Sequence, residues 1–150
     1  MRWQRFALCL AVGIIFSTMR PAFAGAKEDL PAPLIKAAAA YKTRGAEEFL
    51  PTLIKGSRLQ YTDKASFTDA NTMLKQIEFH YGSYLGVELV GSIPISDSTR
   101  LVYFVIKYER GPLYGVADIY KTGHGEVVTN SNVNTELNQI MSPEIIARLR

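Results

Sequence analysis

Leu101-Val102-Tyr103-Phe104-Val105-Ile106-Lys107-Tyr108 is the stretch on which the fold turns. Its β-branched and aromatic residues favour extended backbone. Apolar residues occupy both alternating sets of positions, so neither face of the strand suits water. A central strand with both faces covered accounts for this; one face would receive helices, and the other a partner subunit or the wall of a pocket. Outward from it lie β-rich runs at Tyr84 to Ile95, Thr99 to Glu109, Leu113 to Lys121 and Gly125 to Val133. The connectors Ser96-Asp97-Ser98, Arg110-Gly111-Pro112 and Thr122-Gly123-His124 are short enough for hairpins, so the runs form an antiparallel meander. Pro94 marks an edge or a bulge near the end of the first run.

Upstream of Gly82 the period is that of a helix. Leu34, Ile35, Ala38 and Tyr41 recur at helical spacing behind Pro31 and Pro33, which predicts a helix from about Pro33 to Lys42. Thr43-Arg44-Gly45 breaks it, and Ala46 to Leu50 opens a second piece that is interrupted near Pro51 and finished by Gly56. Ser66 reads as the N-cap of a third helix whose apolar face carries Phe67, Ala70, Met73, Leu74, Ile77 and Tyr81, with Gly82 as its left-handed end. After the strands, Asn134 or Thr135 caps a short turn. Ser142-Pro143-Glu144 then reads as cap, first-turn proline and acidic second residue of a terminal helix. The fold class is therefore α+β, with N-terminal helices packed on a curved four-stranded antiparallel sheet and a short C-terminal helix.

That order resembles the nuclear transport factor 2-like superfamily. The resemblance rests on element order, on Leu74-Lys75-Gln76-Ile77-Glu78-Phe79-His80-Tyr81-Gly82 leading into the first strand, and on the long hairpin around Arg110-Gly111-Pro112. A cystatin-like arrangement uses similar parts with one principal helix. The resemblance implies helices packed into the hollow of a strongly curved sheet. It also implies a choice of roles: some members are isomerases or dehydratases with an Asp or His in the cone, and many are non-catalytic binding or dimerisation modules.

Residues 1–24 have the layout of a cleaved secretory signal. Arg2 and Arg5 precede the apolar run Phe6 to Phe16, and Ala22-Phe23-Ala24 offers a cleavage junction between Ala24 and Gly25. The stretch from Phe6 to Met19 is shorter than the roughly 20 residues of a spanning helix, so a stable membrane anchor is not expected. Arg2 and Arg5 are not adjacent, which leaves the twin-arginine route without support, and Cys9 sits too early for a lipoprotein junction. Export to a periplasm through the general secretory route follows, or secretion beyond it. Residues 25–150 then form a single domain.

Cleavage alters the chemistry that remains. Three of the 17 Lys and Arg (Arg2, Arg5 and Arg20) lie in the signal and none of the 14 Asp and Glu does, so the product carries 14 of each sign. A neutral chain has no basic footprint for nucleic acid. The single cysteine leaves as well, which removes disulfides, thiolate catalysis and Cys-ligated zinc. Two histidines, His80 and His124, lie 44 positions apart without an Asp or Glu cluster at ligand spacing. No metal or other cofactor is expected. Phosphate loops and Gly-x-Ser-x-Gly elbows are also missing from the sequence.

Two residues are candidates for acid/base chemistry. Asp118 alternates with Tyr114, Val116 and Tyr120 on one face of the third strand; in a concave, dry setting it would be a general base, and otherwise it pairs with Lys107 or Arg110 across the hairpin. His80, between Phe79 and Tyr81 at the end of the third helix, is either a proton carrier at the mouth of a cone or a half-buried terminal histidine held by the helix dipole. For binding, Tyr84, Tyr103, Tyr114 and Tyr120 combine apolar area with a polar tip, although strand propensity also enriches tyrosine. The expected function is an exported, non-enzymatic binding or interaction module. It self-associates as a homodimer through its sheet or holds a protein or a small apolar ligand. The alternative is a small cofactor-independent isomerase or lyase with an acid/base residue in an enclosed pocket. A filled or shallow cone favours the module; an empty apolar cavity with Asp118 inside favours the enzyme.

Overall fold

Three tight connections set the sheet. Residues 84–134 fold into four antiparallel strands, β1 (Tyr84–Pro94), β2 (Thr99–Tyr108), β3 (Gly111–Thr122) and β4 (Gly125–Asn134), in the spatial order β1-β2-β3-β4. The computed structural model describes residues 29–62 and 64–149, the side chains of 62–67 excepted. The signal segment 1–24 with its junction at Ala24 and Gly25, and the side chains of Ser66 and Phe67, lie outside the described residues. The strand limits fall within two residues of the turn-based expectation. β3 begins at Gly111, so the hairpin after Tyr108 turns on Glu109 and Arg110 alone, and Pro112 sits in the strand opposite Lys107.

The helices precede the sheet, as α1 (Ala32–Arg44), a 3₁₀ turn (Ala46–Glu48), α2 (Phe49–Leu53), α3 (Leu59–Thr62) and α4 (Lys64–Tyr81). Pro51 does not interrupt α2. It is the third residue of that helix, where a backbone N–H has no intrahelical partner to lose. The long helix opens at Lys64, two residues ahead of Ser66, and α3 is an additional turn that the apolar periodicity does not announce. Gly82 ends α4 at φ 85°, with its N–H on the Glu78 carbonyl (2.9 Å).

One face of the sheet and the helices share the main core. Leu34, Ala37 and Tyr41 of α1, Phe49 and Leu53 of α2, and Leu74 and Ile77 of α4 pack on Val102, Phe104, Ile106, Leu113, Ile119 and Val128. Gly115 lies beneath the Phe104 ring, in the space that any Cβ would have to share. The buried face of α1 runs through Leu34, Ala37, Ala40 and Tyr41, which leaves Ile35 51% exposed instead of packed. The helical spacing of apolar residues did not distinguish these two faces, because alanines flank both.

The second apolar face of β2 is closed by the chain itself. Ile140 and Met141, after a 3₁₀ turn (Leu137–Gln139), pack on Tyr103 together with Ile93, Leu101 and Val116, and Ile145, Ile146 and Leu149 of the α5 region (Pro143–Arg148) extend the cover. Leu149 lies against Gly91, where an added Cβ would stand 2.8 Å from its Cδ2. Ser142 caps α5 as its sequence announces, with Oγ accepting from the Ile145 N–H at 3.4 Å.

Candidate functional site

The sequence candidates divide between the two faces of the sheet. Ala117 and Ile119 point into the helical core, so their neighbours Tyr114, Val116, Asp118 and Tyr120 face the other way. Tyr103 joins them, since it pairs with Val116, and Asp118 stands opposite Leu101 on one side and Asn130 on the other. Three of the four tyrosine candidates thus share a face with Asp118. On that face Tyr103 is buried beneath Ile140 and Met141, and Tyr120 is 43% exposed. Burial, and then the nearby Asp118 charge, raise the Tyr103 hydroxyl above its ordinary range. Lys107 pairs with Glu88 (3.1 Å) and Arg110 turns to helix carbonyls, so neither takes the Asp118 carboxylate across the hairpin.

His80 lies at the opposite end of the sheet. Its ring is exposed and meets Phe79 edge-on at 5.2 Å, while its carbonyl accepts from Arg110 Nε at 3.0 Å and the Phe79 carbonyl accepts from Arg110 Nη2 at 3.4 Å. A guanidinium on the last carbonyls of α4 complements the helix dipole, so this turn is a fastening point between α4 and the β2–β3 hairpin. Asp118 is seven residues along β3 from Gly111, or about 23 Å at strand rise. The two acid/base candidates therefore do not act on one substrate atom.

Tyr84 belongs to the inner face, in a cluster that periodicity does not reveal. Its ring stacks on Tyr41 (centroids 4.1 Å apart, planes at 5°), and its hydroxyl donates to the Ala38 carbonyl at 3.2 Å. Tyr41 donates to Glu78 Oε2 at 3.2 Å, and its oxygen lies 3.2 Å from the Tyr108 hydroxyl. With the Tyr41 proton on Glu78, Tyr108 is the donor in that second bond, and a line of hydroxyls runs to a carboxylate. Burial raises all three phenols, Tyr41 the furthest; Tyr84 and Tyr108 are pushed up to about 12, with Tyr108 a further source for Tyr84, and with the Tyr41 bond lowering Tyr108 and Glu78 raising it. They remain neutral donors at any ordinary pH and tie α1, α4 and the β1–β2 pair together.

Open surface lies elsewhere. A cleft of about 560 Å³ runs between α1 and α2 and ends at Glu126 of β4. A second, of about 250 Å³, sits by the β1–β2 turn around Asp97 and Lys121. A third, of about 290 Å³, is lined by Ala38, Ala39 and Lys42 of α1 and by Tyr84, Leu85, Gly86 and Val87 of β1. Asp118 and His80 line none of these three. The third cleft borders the β1 edge, one of the two edges of the sheet. Irregular pairing at Tyr84/Gly86 and at Leu89/Gly91 takes Leu85 and Val90 out of the ladder, leaving them 61% and 40% exposed. Ile35, one helical turn before Ala38 on α1, is also exposed.

Among the described residues no group of three His, Cys, Asp or Glu could hold a metal ion, and no helix is long and apolar enough to cross a membrane. No protein-family model, curated protein or solved structure matches the chain.

Proposed function

We propose that this chain is an exported, non-enzymatic interaction module that pairs with a second copy along the β1 edge of its sheet. The observation that carries the reading is Leu85, more than half exposed beside Ala38 and Ala39 of α1, on an edge strand with unpaired backbone groups. An edge strand meeting its own copy antiparallel gives a closed two-fold pair in which each subunit offers the same patch. The apolar second face of β2 would have been the natural interface, but Ile140 and Met141 already occupy it. Edge strands are commonly protected by charge, proline and bulges, and β1 has Glu88, Pro94 and two irregularities. These leave the end near Leu85 for pairing, since Ile95, equally exposed, lies beyond Pro94 at the protected end.

The enzymatic alternative has less support. The helix-covered side of the sheet is filled by Phe104, Leu113 and the helices, and Asp118 lies on the far face from that core. The resemblance to the nuclear transport factor 2-like superfamily is proposed on element order, and its non-catalytic, dimerising members fit this reading. Export to the periplasm is proposed on residues 1–24; sequencing the amino terminus of the product recovered from the periplasm should begin at Gly25, and retention of Met1 would oppose it.

The chain that export would leave has no cysteine, so an introduced one reports without background. Under mild oxidation Leu85→Cys should yield a covalent dimer, whereas Tyr120→Cys, on the outer face of β3, should not. Equal cross-linking of both, or of neither, would remove the β1 edge as the interface.

A further inference from the structure

We infer that the cleft between α1 and α2 is a binding site for a small organic anion. Its walls bring together three cationic side chains, Lys36 and Arg44 of α1 and Lys55 just beyond α2, with Pro33, Ala39 and Ala40 also in the lining. Positions 36, 40 and 44 are four apart, so one face of α1 presents them together.

The charges around this cleft do not cancel. Glu126, the carboxylate in its wall, accepts from Arg100 at 2.8 Å and from the Ala32 N–H at 3.4 Å, and is thereby committed to β2 and to the start of α1. Arg44 is bound by Glu48 at 3.0 Å. Lys36 and Lys55 have no ion pair among the described residues. With residues 25–150 balanced at 14 charges of each sign, two unneutralised cations at one concave site are a local segregation and not a consequence of a basic chain. The apolar part of the lining and the volume of about 560 Å³ set the size of the occupant. An inorganic anion would leave most of that space to water, whereas a carboxylate or phosphate monoester on a short hydrocarbon body satisfies the lysines and covers the alanines together. This site lies on the α2 side of α1, shares only Ala39 with the lining of the cleft at Leu85, and stands whether or not the β1 edge pairs.

The test is an amide NMR titration of residues 25–150, which include every core element described, with four probes: hexyl phosphate, hexanoate, inorganic phosphate and hexanol. The expected result is saturable shifts at residues 36–44 and 52–56 with hexyl phosphate or hexanoate, weaker binding of inorganic phosphate, and none of hexanol. Which of the two organic probes binds more tightly assigns the head group. Lys36→Gln combined with Lys55→Gln should weaken the organic anion about tenfold, as loss of two partly screened charge contacts would, and an unchanged remainder of the spectrum shows that the fold survives. Shifts that do not saturate, an affinity unaltered in the double variant, or hexanol binding as well as hexanoate would overturn the assignment.

Discussion

Tyr41 shows what a single residue does in this fold and why its role escapes a reading of the sequence. It stacks on Tyr84, accepts from Tyr108 and donates to Glu78, and these partners lie 37 to 67 positions away. Helical spacing places Tyr41 on a buried face; only the tertiary arrangement brings hydroxyls from α1 and β2 and a carboxylate from α4 to one point. Tyr41→Phe removes a donor to a carboxylate and an acceptor from a buried phenol, and should destabilise the domain by about 1–3 kcal/mol in urea titration. The tyrosines also set a pH response. The folded state holds Tyr84 and Tyr108 protonated to about 12, above their ordinary 10.0, so it binds more protons than the unfolded chain in that interval. Stability is then fully present below pH 10 and falls as pH rises from about 10 to 12. Melting temperatures across that range should drop, and more shallowly in Tyr108→Phe; a flat profile would mean that these phenols are not desolvated. Asp118 and Tyr120 carried the alternation signal correctly. Which side of the sheet the helices cover could not be read from alternation, since both faces of β2 are apolar.

At the scale of elements, turn residues gave strand limits and capping residues gave α5, because both depend on local backbone chemistry. Other features depended on what the element meets. Pro51 is harmless since it falls in a first turn, and Ile35 is exposed since α1 rolls toward Ala37 and Ala40. The closing of the outer sheet face by the C-terminal segment was also not legible: the apolar residues Ile140, Met141, Ile145, Ile146 and Leu149 are few, and their target is fixed by the path of the chain after β4. Ending the chain at Thr135 should uncover Tyr103, Leu101 and Val116 together. The shortened protein should melt lower, bind a hydrophobic dye and form large aggregates, a pathway that apolar sheet faces promote. Retention of the full melting temperature would show that α5 and the segment before it are ornamental. Within the main core, Phe104→Ala should cost about 3–5 kcal/mol, and Gly115→Ala should also destabilise, because its methyl would press into the same ring.

The whole molecule is a domain whose helices cover one side of its sheet, whose own terminus packs on the other, and whose β1 edge carries exposed apolar side chains. Size and composition allow this: about 120 described residues support one core, and no cross-link is needed to hold it. Among the described residues the exposed large apolar side chains are spread over Ile35, Tyr61, Phe79, Leu85, Val90, Ile95 and Tyr120, and of these Leu85 and Val90 lie on the β1 edge itself, where a second copy can reach them. Sedimentation equilibrium of residues 25–150 is the most direct measurement of that claim. The account predicts a dimer at micromolar concentration that becomes a monomer in Leu85→Asp, with the circular dichroism spectrum of both unchanged. A monomeric parent protein, or a dimer indifferent to Leu85→Asp, would contradict it.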